Sequence, residues 1–444
     1  MNYYSPRTAT YLIIANMVGV GVFTGLGLQL INIQDGFLIL LMWFLGGVAA
    51  LTGAMCYAEL GGALPRSGGE YNFLGRIYHP SAGFVSGWIS ATLGFAAPIA
   101  AIAIAFGANL TQVFPISSDL KKPLAIALVV ICTFFHTRSH GQSSRFQDIL
   151  TIIKILLILF FVIAALAFAQ NPQTVNFSPA NAPLDQILTA PFAIGLVYVA
   201  FAYTGWNAAT YILDEMENPQ KDLPKVLIFG TIFVTILYVL LNFVFLKVAP
   251  ITEMVGLEDK GAVAGVAAVS AFGPKGGAAM TVMLAILFIS SVGAMTLAGP
   301  RAIQEIGKDH KLFKPLGKTN AAGLPMRAIV LQSAIAIGFI MTSTFEFIMT
   351  FAGAMLALNS AVAVLGVIVL RFKEPNLERP YKSWAFPLAP IIFLTITGFF
   401  LYFTVFEKPG PTKIGLAVIA SGFVLYIISM IYEKSIGSTP DTGQ

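Results

Sequence analysis

The sequence predicts an all-α membrane protein with twelve transmembrane helices. Three observations lead there. Hydrophobic residues make up 57% of the 444 positions and charged residues 11%, against about 25% charge in a soluble domain. Apolar runs recur along the whole chain, most of them near or above the roughly 18 residues that cross a hydrocarbon core of about 30 Å. No β-barrel alternation is present, so helices have to satisfy the backbone within lipid. A mean hydropathy of +0.81 fits the same class.

The runs fall at about 8–33, 36–60, 80–113, 123–137, 147–169, 187–213, 225–248, 277–303, 327–343, 346–370, 384–406 and 413–432. Two of them, 123–137 and 327–343, are short, and 80–113 is long enough to tilt or to run past the bilayer. The gaps are too short for a soluble domain, so residues 1–444 read as one transmembrane domain. The opening stretch MNYYSPRTATYLII carries one basic residue and no small-residue cleavage site, so no cleavable signal is expected. Cys56 and Cys132 both fall inside spans and read as packing residues.

Charge orients the spans. With the N-terminus in the cytoplasm and twelve crossings, 18 of the 26 basic residues fall on the cytoplasmic side, among them Arg66, Arg76, Arg301 and Arg371. Seven fall outside and Lys154 lies within a span. This matches the positive-inside rule and places both termini in the cytoplasm of a cell-membrane protein. The net charge of +5 reflects these loops and gives no reason to expect nucleic-acid binding. No metal-ligand or cofactor pattern is present, so neither is expected.

The first span contains NMVGVGVFTG, with Gly19, Gly21 and Gly25 at membrane depth. Glycine inside a helix costs about 1 kcal/mol relative to alanine, so the run weakens the helix. Two readings follow. Gly21 and Gly25 form a GxxxG, which permits close helix packing. Alternatively the helix breaks here, facing protein, water or a ligand. The amides after the break and the positive helix end would then hold a carboxylate, and the carbonyls before it an ammonium. A second stretch favours the break. FAYTGWNAATYILDEMENPQKDLP, residues 201–224, sets Gly205 among Tyr203, Thr204, Trp206 and Asn207 inside the sixth span. Interrupted spans at matching places in two halves point to an inverted-repeat transporter site.

These residues carry a resemblance. GVGVFTG, FAYTGWN with NPQKDLP, LPRSGGEYNFL (64–74), TLAGPR (296–301) and ERPYKSWAFPLAPI (378–391) together resemble the amino acid–polyamine–organocation superfamily, in its L-type amino acid transporter-like branch. The likeness covers nearly the whole chain. It implies a five-plus-five inverted repeat of the leucine-transporter type, with a first repeat at about 8–170, a second at about 187–371 and two extra helices at about 384–432. It also implies site roles. Amides of Val20, Gly21 and Val22 would hold the substrate carboxylate, with Gly19, Gly21 and Gly205 as hinges. Carbonyls of Met17, Phe201 and Thr204 would take the ammonium, and the Phe201 ring would gate the site. Thr204 stands where the eukaryotic relatives often have glycine and is expected to favour small side chains. Tyr238 reads either as a core residue or as a hydroxyl facing the substrate.

Lys154, in DILTIIKILLILFF, lies six residues past Asp148, about 9 Å along a helix. It can snorkel toward headgroups or face the bundle as a functional charge. The resemblance implies the second: a cation in place of a bound sodium, bridging spans one and eight through carbonyls near Ala15 or Val18 and the hydroxyl of Ser290 or Ser291. Glu59, Asp214, Glu215 and Glu217 read chiefly as solvated span ends, with pairing to nearby arginines as the other reading.

The function this predicts is sodium-independent transport of neutral, small L-amino acids, by exchange or with a proton. Polyamines are the alternative substrate, disfavoured because the broken segments hold no acidic residue. An enzyme lacks its motifs: no His-Glu-x-x-His occurs, and LFKPLGKT has Leu312 where a phosphate loop needs its first glycine. A channel would need a filter loop or charged rings. The predicted partners are the amino acid and the bilayer. No obligate protein partner is predicted, and an accessory subunit stays open.

Overall fold

The computed structural model describes residues 4–114, 116–137, 140–169, 172–257 and 262–437. Local chemistry starts the helices. Ser5 accepts from the Thr8 amide at 3.2 Å to cap α1 (Pro6–Met17), and Pro6 takes the first position, where no amide is needed. α2 (Gly21–Leu30) follows after three non-helical residues. Asp35 accepts from the Leu38 amide at 3.0 Å and caps α3 (Gly36–Ala63). A tight turn through Gly68 and Gly69 leads into α4 (Glu70–Ile77).

The third span is α5 (Pro80–Ile89), a π-helical turn over Ser90–Ala96 and α6 (Ala97–Val113). Then come α7 (Lys121–His136), α8 (His140–Phe168) and α9 (Ala190–Tyr203), the last followed by a 3-10 segment over Ala208–Glu215. The second half of the chain holds α10 (Pro219–Val248), α11 (Ile251–Gly256), α12 (Val263–Ala298), α13 (Pro300–Asp309), α14 (Met326–Thr342), α15 (Phe345–Lys373), α16 (Leu388–Glu407) and α17 (Pro409–Gly437).

Ten helical stretches among the described residues are long and apolar enough to cross a bilayer, and the chain is a multi-pass membrane protein. The expected spans 123–137 and 327–343 correspond to α7 and α14, which are shorter, at 16 and 17 residues. The eighth span differs from its reading. It was expected from 277, but α12 begins at Val263 and kinks at Gly273, whose φ of +72° precedes Pro274. The proline removes a helix hydrogen bond there.

α2 lies wholly buried at the centre, together with the ends of α1 and α9 nearest the breaks. α10 runs along α3, and α15 and α16 cover α9. α17 is peripheral and exposes Phe423, Ile427 and Ile431, as α8 exposes Phe160 and Ile163. Such apolar patches are stable only against lipid.

Candidate functional site

The two broken helices meet at the centre. α1 ends at Met17, where Val18 leaves helical geometry (φ −74°, ψ 80°), and α2 restarts at Gly21. As at any helix start, the first amides lack intrahelical acceptors. Among the described residues nothing accepts from the amides of Val20, Gly21 or Val22. Gly21 is where the helices touch: a Cβ there would sit 2.6 Å from Ala202 Cα. α9 ends at Tyr203, and Gly205 reverses the chain at φ +98°, packed against Asn16. Only glycine adopts that backbone freely. Gly19 has space beside it: its nearest neighbour to an added Cβ would be Ile102 at 3.4 Å.

The carbonyls expected to take an ammonium are not equivalent. Met17 O accepts from the Tyr238 hydroxyl at 2.6 Å and from the Gly19 amide at 2.8 Å. Phe201 O accepts from the Thr204 hydroxyl at 2.7 Å and its amide at 3.0 Å. A carbonyl has two lone pairs, so both are filled. Thr204 O has no described donor. The Tyr238 hydroxyl also lies 3.0 Å from Ala202 O, so it faces the main chain of both breaks. The Phe201 side chain is buried beside Gly353 of α15.

Lys154 is buried with its ammonium turned to the first break, away from headgroups. Its Nζ has three acceptors within reach: Val18 O at 2.7 Å, Ser291 Oγ at 2.8 Å and Ala15 O at 3.2 Å. In a continuous helix Ala15 O and Val18 O would accept from residues 19 and 22, so the break releases both for the lysine. Ser290 lies elsewhere, accepting from Gln147 Nε2 at 3.3 Å.

A cavity of about 70 Å³ opens beside the second break, lined by Asn16, Thr204, Gly205, Trp206, Asn207 and Glu70. Asn16 Oδ1 is buried with no hydrogen-bond partner among the described residues. A larger cavity of about 490 Å³, lined by Phe23, Thr24, Ala108, Thr281 and Phe288, lies on the α2 side. Val20, Gly21 and Val22 line neither cavity.

The family model for amino acid permeases matches residues 4–431. The chain belongs to the amino acid permease family. The large neutral amino acids transporter small subunit 2 of Mus musculus is 30% identical over 441 residues, covering 96% of this chain and 80% of the relative. The b(0,+)-type amino acid transporter 1 of Mus musculus is 27% identical over 437 residues, covering 95% and 86%. The cystine/glutamate transporter of Homo sapiens is 26% identical over 429 residues, covering 95% and 84%.

Every described ion pair of the permease sits at one end, where α3, α13 and α15 terminate. Arg301 forks onto Glu215 at 2.8 and 3.0 Å, and Arg66 joins Glu305 and Asp309, both at 2.8 Å. The Tyr71 hydroxyl donates to Asp309 at 2.7 Å. Burial first, and the neighbouring Asp309 second, push its pKa well up, so it stays a donor at any physiological pH. Of the two readings of the acidic span ends, pairing with arginines holds for Glu59 and Glu215 and exposure for Asp214 and Glu217. Glu59 is 2% exposed and takes Arg371 through two bonds of 2.7 and 2.8 Å, with the Ser383 amide at 2.7 Å. Sequence reasoning missed Glu70, buried and lining the smaller cavity. Its signal was present: an acid straight after two glycines, at the start of a helix.

Proposed function

We propose that the permease is a secondary transporter of neutral amino acids that works by alternating access and exchanges one amino acid for another. Twelve spans in a five-plus-five inverted repeat, 8–170 and 187–371, would carry it, with extra helices at 384–432 and both termini cytoplasmic. One observation carries the reading: two interrupted helices meet at mid-bundle, and among the described residues the amides of Val20, Gly21 and Val22, Thr204 O and Asn16 Oδ1 have no partner. The amides of Val20, Gly21 and Val22, at the positive end of α2, suit a carboxylate. Thr204 O and Asn16 Oδ1 suit an ammonium. Met17 O and Phe201 O join them only once Tyr238 and the Thr204 side chain let go.

Lys154 would stand where a sodium ion would otherwise hold the break to α12, either as a fixed cation or as a group that exchanges a proton during the cycle, which fits sodium-independent transport. The ion-paired end, which holds most of the basic residues, is the cytoplasmic one and is shut. The 490 Å³ cavity is then the outer approach. We take the smaller cavity, of about 70 Å³, to suit small side chains. Exchange is the natural outcome if the substrate-free carrier reorients slowly, since a ligand shifts a conformational equilibrium only through differential affinity. The relatives' names speak of small subunits and of several amino acids. Both cysteines of this chain are buried, so no accessory subunit is expected through a disulfide.

The test is uptake of labelled L-alanine into liposomes, preloaded with unlabelled amino acid or left empty, with a panel of amino acids and diamines as competitors. Uptake confined to preloaded vesicles supports exchange. Uptake in empty vesicles driven by a proton gradient would replace it with symport, and competition by diamines alone would move the substrate to polyamines.

A further inference from the structure

The turn LPRSGGEYNFL does more than connect α3 to α4. It is zipped to the 3-10 segment that follows the second helix break. The Gly69 amide donates to Thr210 O at 3.2 Å and the Gly68 amide to Tyr211 O at 3.4 Å. Ser67 and Asp214 exchange bonds, at 2.8 Å from the Asp214 amide to Ser67 Oγ and 3.4 Å from the Ser67 amide to Asp214 Oδ1. Gly69, at φ +56°, lies flat on the Tyr211 ring, where a Cβ would come within 2.9 Å of it. Glu70 stands next in the chain and is 2% exposed.

Burying a carboxylate is unfavourable unless donors replace its water. Glu70 finds three. Oε1 accepts from Tyr57 of α3 at 2.8 Å and from Asn207 Nδ2, in the break, at 2.6 Å. Oε2 accepts from the Tyr211 hydroxyl, which itself reaches Ser90 in the π-helical turn at 3.0 Å. No lysine or arginine is described as pairing with it, so only these neutral donors and the N-terminus of α4 hold the acid. The same side chain lines the cavity beside Thr204, Gly205 and Asn207. The carboxylate therefore touches both the cavity beside the second break and the 3-10 segment that follows it, whose residues 208–213 are all buried.

Building on the transport reading above, we propose that Glu70 is a positioning residue that latches the segment 208–215 shut. Its bonds to Asn207 and Tyr211 are the ones that must break for the cavity to open to the cytoplasm. A carboxylate suits the task because its bonds are stronger than neutral ones, and losing any one leaves a buried charge short of donors. Asn207 gives the latch a line to the site, since a ligand at the second break competes for the same amide.

The test reads both faces at once. Reporter cysteines are placed by Ala209→Cys on the latched segment and Ala108→Cys in the larger cavity, each in the full chain carrying Cys56→Ala and Cys132→Ala. Labelling by a membrane-impermeant maleimide, applied from the appropriate side of oriented vesicles, is compared with Glu70 intact, with Glu70→Gln and with Tyr211→Phe. The expected result is about tenfold faster labelling at 209 in both variants, from the loss of one charge-assisted bond, together with slower labelling at 108. A merely structural role would speed labelling at both positions, and no latch would leave both unchanged; either result overturns the proposal. Tyr211→Phe keeps the test valid if Glu70→Gln fails to fold. Amino acid exchange by the otherwise unmodified reporter chains, measured in the same vesicles, checks the transport reading separately: its absence would sink that reading while the labelling still judges the latch.

Discussion

Replacing Gly205 by alanine puts one methyl group between the two broken helices. Gly205 holds φ +98°, a conformation that costs an L-residue about 1–2 kcal/mol or more. The new Cβ would lie 2.8 Å from Asn16 Cβ and 2.9 Å from Asn16 C. The second is backbone, so the helices have to separate, and overpacking of this kind costs about 1–3 kcal/mol. Together these give about 2–5 kcal/mol against the present spacing of the breaks. At about 1.4 kcal/mol per decade, the affinity for labelled L-alanine, measured by scintillation proximity in detergent, should fall about thirtyfold or more, with a lower melting temperature. Gly338→Ala is the control. It lies in the exposed interior of α14 with nothing within 4 Å of an added Cβ, so stability should hold or rise by up to about 1 kcal/mol. A Gly205→Ala permease that binds and melts like the unmodified one would refute the reasoning.

Other substitutions separate the remaining parts. Lys154→Met removes a buried cation whose desolvation opposes folding and leaves Ala15 O without its donor. Melting should therefore change little while exchange falls at least about tenfold, and the unmodified chain should take up alanine at equal initial rates in sodium and choline buffers. Thr204→Gly removes the hydroxyl from Phe201 O and widens the cavity, shifting preference from alanine toward leucine by about tenfold in competition assays. Glu59→Ala leaves Arg371 and the 5% exposed Arg379 side chain without their acid, at a cost of about 3 kcal/mol, read as a lower melting temperature.

The interruptions at 18–20 and 204–207 were readable because a break inside a membrane leaves two local marks, glycine and polar groups at the same depth. The contacts of Lys154 follow from the same logic, since a buried ammonium seeks the carbonyls a break releases. The acidic residues were harder to read. Glu59 and Glu215 sit at span ends, where solvation is the ordinary outcome, and their partners Arg371 and Arg301 lie 312 and 86 residues away. Glu70 carried a local mark, an acid straight after two glycines, but its burial depends on Tyr57, Asn207 and Tyr211 closing over it. The expected eighth span, from 277, leaves out the first part of α12, which starts at Val263 and carries a kink at Gly273 and Pro274. Tyr238 reads as core or substrate contact; it is buried, and its hydroxyl lies against the main chain of both breaks, a contact no pattern of spacing encodes.

Main-chain groups at two broken helices are held to recognise both charged ends of an amino acid. The most direct measurement is competition against labelled L-alanine by L-alaninamide, which lacks the carboxylate, and by N-acetyl-L-alanine, which lacks the ammonium. Both analogues should compete about a hundredfold less well than L-alanine, because each leaves one set of charge-assisted bonds unmade. Competition by either at concentrations close to those of L-alanine would contradict recognition by the exposed backbone of residues 20–22 and 204.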